Sequence, residues 1–141
     1  MKRNASEVMD LSNCTWMVRE LGEAVSCTVL LDDDSLLVGG WDGTIKYWSE
    51  GGDLIWECQT PNRISSMAIQ DGCIFATSGL HIVCIASSTG EIRWDVPLEG
   101  SADAVVTTKE CVLATSSVYD IEHNDFIESA IWSISFDGDV L

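Results

Sequence analysis

The sequence predicts an all-β fold of repeated four-stranded antiparallel sheets, and three observations carry that prediction. The first is an internal repeat. The stretch from Leu36 to Trp56, LLVGGWDGTIKYWSEGGDLIW, returns 38 residues later as Ile74 to Trp94, IFATSGLHIVCIASSTGEIRW, and again, incomplete, towards Leu141. A fixed period of this length decides architecture before any local reading does. The second is spacing: Trp16, Trp56 and Trp94 stand 40 and 38 residues apart, and Val38, Ala76 and Ala114 stand 38 apart each time. The third is composition. Two prolines against eleven glycines, with many Val, Ile, Thr and Trp, favour strands and tight turns over helices.

Taken in order, residues 1–14 are polar and aperiodic and read as a flexible terminus. Thr15 to Arg19, TWMVR, has the make-up of a short outer strand belonging to a neighbouring unit, with Trp16 in the place of Trp56. The first full unit spans 24–61. Its strands are Val25–Leu30, Ser35–Gly39, Thr44–Trp48 and Asp53–Cys58, separated by Asp32-Asp33-Asp34, Trp41-Asp42-Gly43 and Gly51-Gly52. The second, 63–100, repeats the layout with Ile64–Ile69, Cys73–Thr77, His81–Ala86 and Glu91–Val96, and with turns at Gln70-Asp71-Gly72, Gly79-Leu80 and Ser88-Thr89-Gly90. The third, 102–141, begins with Ala104–Thr108 and Cys111–Ser116, and its outer strand has just started at Asp139-Val140-Leu141. Gly52 and Gly90 are 38 residues apart but Gly138 follows Gly90 by 48, so ten extra residues lie within Val118 to Ser129. Four short strands per period of about forty residues is the pattern of a β-propeller blade.

Two motifs carry family resemblances. LLVGGWDGTIKYW resembles a WD-repeat blade, although Trp48 is followed by Ser49 rather than Asp and no Gly-His pair opens the blade. ASSTGEIRWDVPL and SFDGDVL are similar to blades of the pyrroloquinoline-quinone-type (quinoprotein-like) propellers. That second resemblance implies, as an alternative function, a piece of a dehydrogenase binding pyrroloquinoline quinone and calcium. The adjacent cysteine pair and the cofactor and calcium residues of those enzymes have no counterpart here. A closed propeller takes about four to eight blades. The expectation is therefore an N-terminal piece of a longer protein or, as the alternative, identical chains that associate to complete a ring.

Charge and cysteines narrow the function. With 23 acidic and seven basic residues the formal net charge is −16, which repels phosphate backbones and excludes nucleic acid as a main partner. It attracts a basic protein partner, and it also serves solubility. The six cysteines show no CxxC spacing, so neither a zinc knuckle nor a redox motif is indicated. The start MKRNASEVMDLSN has no apolar run behind its basic residues and no stretch has the length to cross a membrane, so a cytoplasmic location is expected.

Binding residues in such a fold hang on loops over a rigid platform of strands. The loops joining second to third strands share one face and offer Trp41, Asp42, Leu80 and His81, followed by the insertion VYDIEHNDFIES. The insertion supplies Tyr119, Asp120, Glu122, His123, Asp125 and Phe126, and is expected either to recognise a partner or to be a solvated hairpin extension. Asp120, Glu122 and Asn124 imitate the start of a calcium loop, but Asp125 holds its glycine position and Ile131 its late glutamate position, so no metal site is expected. His81 and His123 are the only imidazoles and neither has a nucleophile setting; no Gly-rich phosphate cradle opens a helix. No catalytic residues and no cofactor are assigned. The reading is a non-catalytic scaffold that displays its loops to a protein partner.

Overall fold

The computed structural model describes residues 17–141, and every regular element among them is a strand. The expected flexible terminus, 1–14, lies outside the described residues, as do Thr15 and Trp16. The first sheet runs β1 (Val25–Leu30), β2 (Leu36–Gly40), β3 (Thr44–Trp48) and β4 (Leu54–Gln59), each antiparallel to its neighbour. The second runs β5 (Ile64–Gln70), β6 (Cys73–Ser78), β7 (His81–Ala86) and β8 (Ile92–Pro97). The third runs β9 (Ser101–Thr107), β10 (Val112–Asp120) and β11 (Asp125–Ile134). All eight strands expected in the first two units are present, with ends within one residue of the sequence reading.

Local chemistry makes the hairpins. Between β1 and β2, Asp34 adopts φ 62° while the Asp33 carboxylate accepts the Ser35 amide at 3.0 Å and the Ser35 hydroxyl. Each turn from third strand to fourth has a glycine at positive φ: Gly52 at 90°, Gly90 at 78° and Gly138 at 95°.

The sheets stack face to face. Leu37, Ile45 and Cys58 of the first sheet pack on Ile64, Met67, Ile74 and Ile85 of the second. The opposite face of the second sheet presents Phe75, Ile82 and Cys84 to Val105, Val112, Ala114 and Ile134 of the third. Covered on both sides, β6 and β7 read as nearly continuous apolar runs, IFAT and IVCIA, instead of alternating ones.

Two kinds of tie hold neighbouring sheets in register. At the outer edge, Trp56 Nε1 donates to Ser87 O at 2.7 Å and its ring lies so close to Gly90 that a Cβ there would sit 2.7 Å from it. Trp94 repeats this one unit on, donating to Phe136 O at 2.9 Å over Gly138. At the inner edge, β1, β5 and β9 each carry a register shift near their start, between Val25 and Cys27, between Ile64 and Met67, and around Asp103. The irregularity turns serines towards the next sheet. Ser26 Oγ donates to Ile64 O, and Ser66 Oγ accepts the Val105 amide at 3.1 Å.

The segment expected as an outer strand at 15–19 is corrected in part: Met17, Val18 and Arg19 are irregular. A strand needs a ladder partner, and among the described residues no strand pairs with this segment. It nevertheless holds the place of a fourth strand. Met17 covers Gly52, and Arg19 Nη2 donates to Ser49 O at 3.1 Å and Glu50 O at 3.2 Å, the turn carbonyls corresponding to those that Trp56 and Trp94 reach. In the third sheet the fourth strand appears as an Ile134–Val140 bridge, with the Leu141 amide donating to Ser133 O at 2.9 Å.

The outer tie predicts two separable losses at Trp56. Trp56→Phe, which keeps the ring and deletes the donor, is expected to cost about 1 kcal/mol. Trp56→Ala is expected to cost about 3–5 kcal/mol, because it also opens a cavity beside Gly90. Urea denaturation of both variants checks the pair; an unchanged stability in Trp56→Phe would show that the hydrogen bond contributes nothing.

Candidate interaction face

Because alternate strands run the same way, the β2–β3 turn, the β6–β7 turn, the β10–β11 turn and the links from β4 to β5 and from β8 to β9 all emerge on one face. On the first sheet, Asp42 closes its turn by accepting the Thr44 amide at 2.9 Å and the Thr44 hydroxyl at 2.8 Å. Gly43 adopts φ 88°, and a Cβ there would meet Thr60 O at 2.4 Å, so the β4–β5 link runs directly against the turn. These contacts leave Trp41 pointing outwards and half-exposed, with the Arg63 guanidinium 4.0 Å above its ring centroid. The Thr44 amide, and then its hydroxyl, hold the Asp42 carboxyl below the usual carboxylate range.

On the second sheet, Gly79 at φ 61° packs against Asn62, and Leu80 is exposed beside it. His81 Nδ1 lies 2.7 Å from Asp95 Oδ1, a pair across β7 and β8. On the third sheet, the ten-residue insertion lengthens β10 and β11 into a paired hairpin, so the solvated-hairpin expectation describes its backbone better than a loop does. Tyr119 and Phe126 meet edge to face with centroids 5.2 Å apart, and Tyr119 Oη donates to Asn124 Oδ1 at 2.6 Å. Asp120 organises the tip, accepting the Glu122 amide at 2.8 Å and facing His123 Nδ1 at 2.5 Å. Those contacts, His123 first, hold its carboxyl below the usual range. Among the described residues no three His, Cys, Asp or Glu side chains gather to hold a metal.

Between the second and third sheets the face opens into a groove of 460 Å³. Arg63, Leu80, Asp103, Ser117 and Phe126 are among its lining residues. Ser117 Oγ donates to Asp103 Oδ2 at 2.7 Å on its floor. Of the residues expected to form a site, the structure brings together Trp41, through Arg63, and Phe126 with its partner Tyr119. Asp42 and Asp120 act as turn acceptors, His81 is tied to Asp95, and Glu122, His123 and Asp125 sit on the exposed hairpin.

No protein-family model matches the sequence, and no curated protein does. Solved structures do. The chain is similar to U3-55K with a TM-score of 0.62 at 12% identity, covering 83% of this chain and 47% of that one. It is similar to the β-propeller domain of Cps50 (Swd1) from Myceliophteria thermophila with a TM-score of 0.63 at 13% identity, over 83% and 38%. It also matches the computationally designed Ika4 protein, with a TM-score of 0.59 at 19% identity, over 89% and 97%. The chain adopts the β-propeller fold. It spans less than half the length of the two natural propellers just described, and its sheets are propeller blades.

Arg63, Asn62, Asp103 and Ser117 escape the sequence reading. Strand parity was the available clue: in a propeller blade the link leaving the fourth strand emerges on the same face as the turn leaving the second. Attention to the β2–β3 type of turn alone overlooks half of that face.

The lowered Asp42 pKa carries a sign. A carboxylate favoured in the folded state contributes stability above its unfolded pKa and loses it as pH falls through the folded one. Asp42→Asn is expected to lower the melting temperature at neutral pH and to flatten its decline between about pH 5 and pH 2. Melts across that range check this, and an unchanged slope would remove Asp42 from the acid response.

Proposed function

We propose that this chain is a non-catalytic propeller module that binds a protein partner in the groove between its second and third blades. The observation that carries the reading is the groove itself, 460 Å³ of open space with Arg63 stacked on Trp41 at one wall and Phe126 at the other. Exposed aromatics on a rigid frame supply contact area at little ordering cost, which suits them as anchors. The partner contributes an extended segment with an apolar side chain for Phe126 and Leu80 and a basic one for Asp103. Charge supports the basic preference: the net charge is −16, and the only Lys or Arg ion pair among the described residues is Lys46–Glu57 at 3.8 Å. The same charge disfavours nucleic acid. A reducing compartment such as the cytoplasm suits the five described cysteines, all free, with Cys84 pushed up to about 12 by burial and by neighbouring Cys73.

An immobilised peptide array graded by net charge tests the reading. Basic peptides with an aromatic or aliphatic residue are expected to be retained, and Phe126→Ala to weaken retention by about 2 kcal/mol, roughly thirtyfold, without changing the melting temperature. Retention that ignores peptide charge, or that survives Phe126→Ala together with Trp41→Ala, would count against this groove.

A further inference from the structure

The groove holds two charges of opposite sign that do not satisfy each other. Arg63 and Asp103 both line it but form no ion pair: Arg63 turns back over the Trp41 ring of the first blade, and Asp103 faces Ser117 within the third. Other cations of the chain are used internally. Arg19 donates to Ser49 O and Glu50 O, Lys46 pairs with Glu57, and Arg93 reaches the Cys73 sulfur at 3.1 Å. The Arg63 guanidinium donates no hydrogen bond among the described residues; only its backbone amide does, to Asn62 Oδ1 at 2.8 Å. Stacking engages the face of a guanidinium and leaves its N–H edges free, in the fork that matches the two oxygens of a carboxylate. The ring also restrains the side chain, so less rotamer freedom is lost on binding.

The other wall offers the opposite chemistry. Asp103 is exposed, receives one hydroxyl from Ser117, and lines both the groove and a second hollow on the open face of the third blade. Its second oxygen has no partner among the described residues. Leu80 and Phe126 add exposed apolar surface to the groove. Net charge alone, at −16, favours a wholly basic ligand. The local arrangement differs, because a carboxylate brought to Arg63 meets a cation that no described carboxylate neutralises.

We propose that the groove selects a segment of mixed charge, with an Asp or Glu side chain on Arg63, an apolar residue on Phe126 and Leu80, and a Lys or Arg on Asp103. This rests on the groove being the binding site and adds the one element that net charge argues against. Trp41 stays half-exposed beyond Arg63, so the surface continues past the guanidinium. The carboxylate therefore belongs to a side chain within the segment and not to a chain end. Arg63 becomes a specificity-determining residue: it fixes the direction of the segment, acid towards the first blade and base towards the third.

Fluorescence anisotropy with labelled, end-blocked peptides tests this. The parent peptide carries a Glu and a Lys about three to five residues apart, roughly 10–17 Å of extended chain, around a central Phe. Replacing its Glu by Gln makes the peptide more basic, yet is expected to weaken binding about fivefold. On Arg63→Gln the two peptides should bind alike. Arg63→Lys, which keeps the charge without the planar fork, should restore part of the preference. Arg63 is exposed, and melting temperatures confirm that both variants fold. A Gln peptide that binds as well as the parent, or a preference for Glu that survives Arg63→Gln, would overturn the proposal and leave the groove reading standing. A free C-terminal carboxylate that replaces the Glu side chain without loss would overturn the side-chain assignment. Failure of these peptides and of wholly basic ones to bind would overturn the groove reading and this proposal together.

Discussion

The structure depends on one contact made twice: an outer-strand tryptophan seated on the glycine turn of the next blade. A four-stranded antiparallel sheet has two faces and covers neither alone, so a blade is stable only as part of a stack. Trp56 and Trp94 meet that need with two properties of one side chain. The ring covers apolar surface at the blade edge, and its N–H would be costly to bury without an acceptor. The turn supplies the acceptor as a backbone carbonyl, Ser87 O or Phe136 O, and supplies room because a glycine at positive φ carries no Cβ. The contact also explains how the fold tolerates ten extra residues. They lengthen β10 and β11 along the strand direction, and the chain returns to β11 in register before it reaches Gly138. The turn therefore meets Trp94 as though nothing had been inserted.

Rigidity follows from tying each blade at its inner edge as well. The strand irregularities near the starts of β1 and β5 turn Ser26 and Ser66 out of their own ladders and towards the next inner strand. Gly39 permits the same approach, since a Cβ there would lie 2.6 Å from Ile64 Cγ2. With ties at the inner and outer edges, one blade cannot pivot on the next without breaking a hydrogen bond. A groove between blades then keeps its shape when empty, which reduces the ordering cost that a flexible loop site would incur on binding.

Much of this fold was legible in the sequence because its determinants recur. The glycine turns, the tryptophans and the apolar runs return at the period of the blade, and repetition separates them from chance. The parts that escaped are those that do not repeat or whose effect is non-local. Arg63 looks like an ordinary residue after Pro61-Asn62, and only the approach of the β4–β5 link to the Trp41 turn gives it an aromatic face to cover. Ser26 and Ser66 read as polar interruptions of strands; their roles depend on a register shift that no local pattern announces. The insertion showed its boundaries through spacing, but not that β10 and β11 stay paired along it as far as Asp120 and Asp125. Residues 17–19 have strand composition and are irregular, since composition cannot supply a missing ladder partner.

The acidity, too, divides into parts that composition merges. Asp33, Asp42 and Asp120 each accept the backbone amide two residues ahead, so three carboxylates build turns at the ends of the strands they serve. Serine or asparagine could close such turns with less charge. What the carboxylate adds is a stronger acceptor, and the lowered pKa reflects the bonds accepted: the Ser35 hydroxyl and then its amide at Asp33, the Thr44 amide and then its hydroxyl at Asp42, and His123 and then the Glu122 amide at Asp120. Asp103 differs in kind. It accepts only a serine hydroxyl, stands at an inner-strand irregularity where the earlier blades place serine, and lines the groove as well as bordering the open blade face. A charge located there is not required by the turn chemistry that accounts for the others. A search for recognition in this strongly acidic chain should therefore begin at that one carboxylate and not with the total.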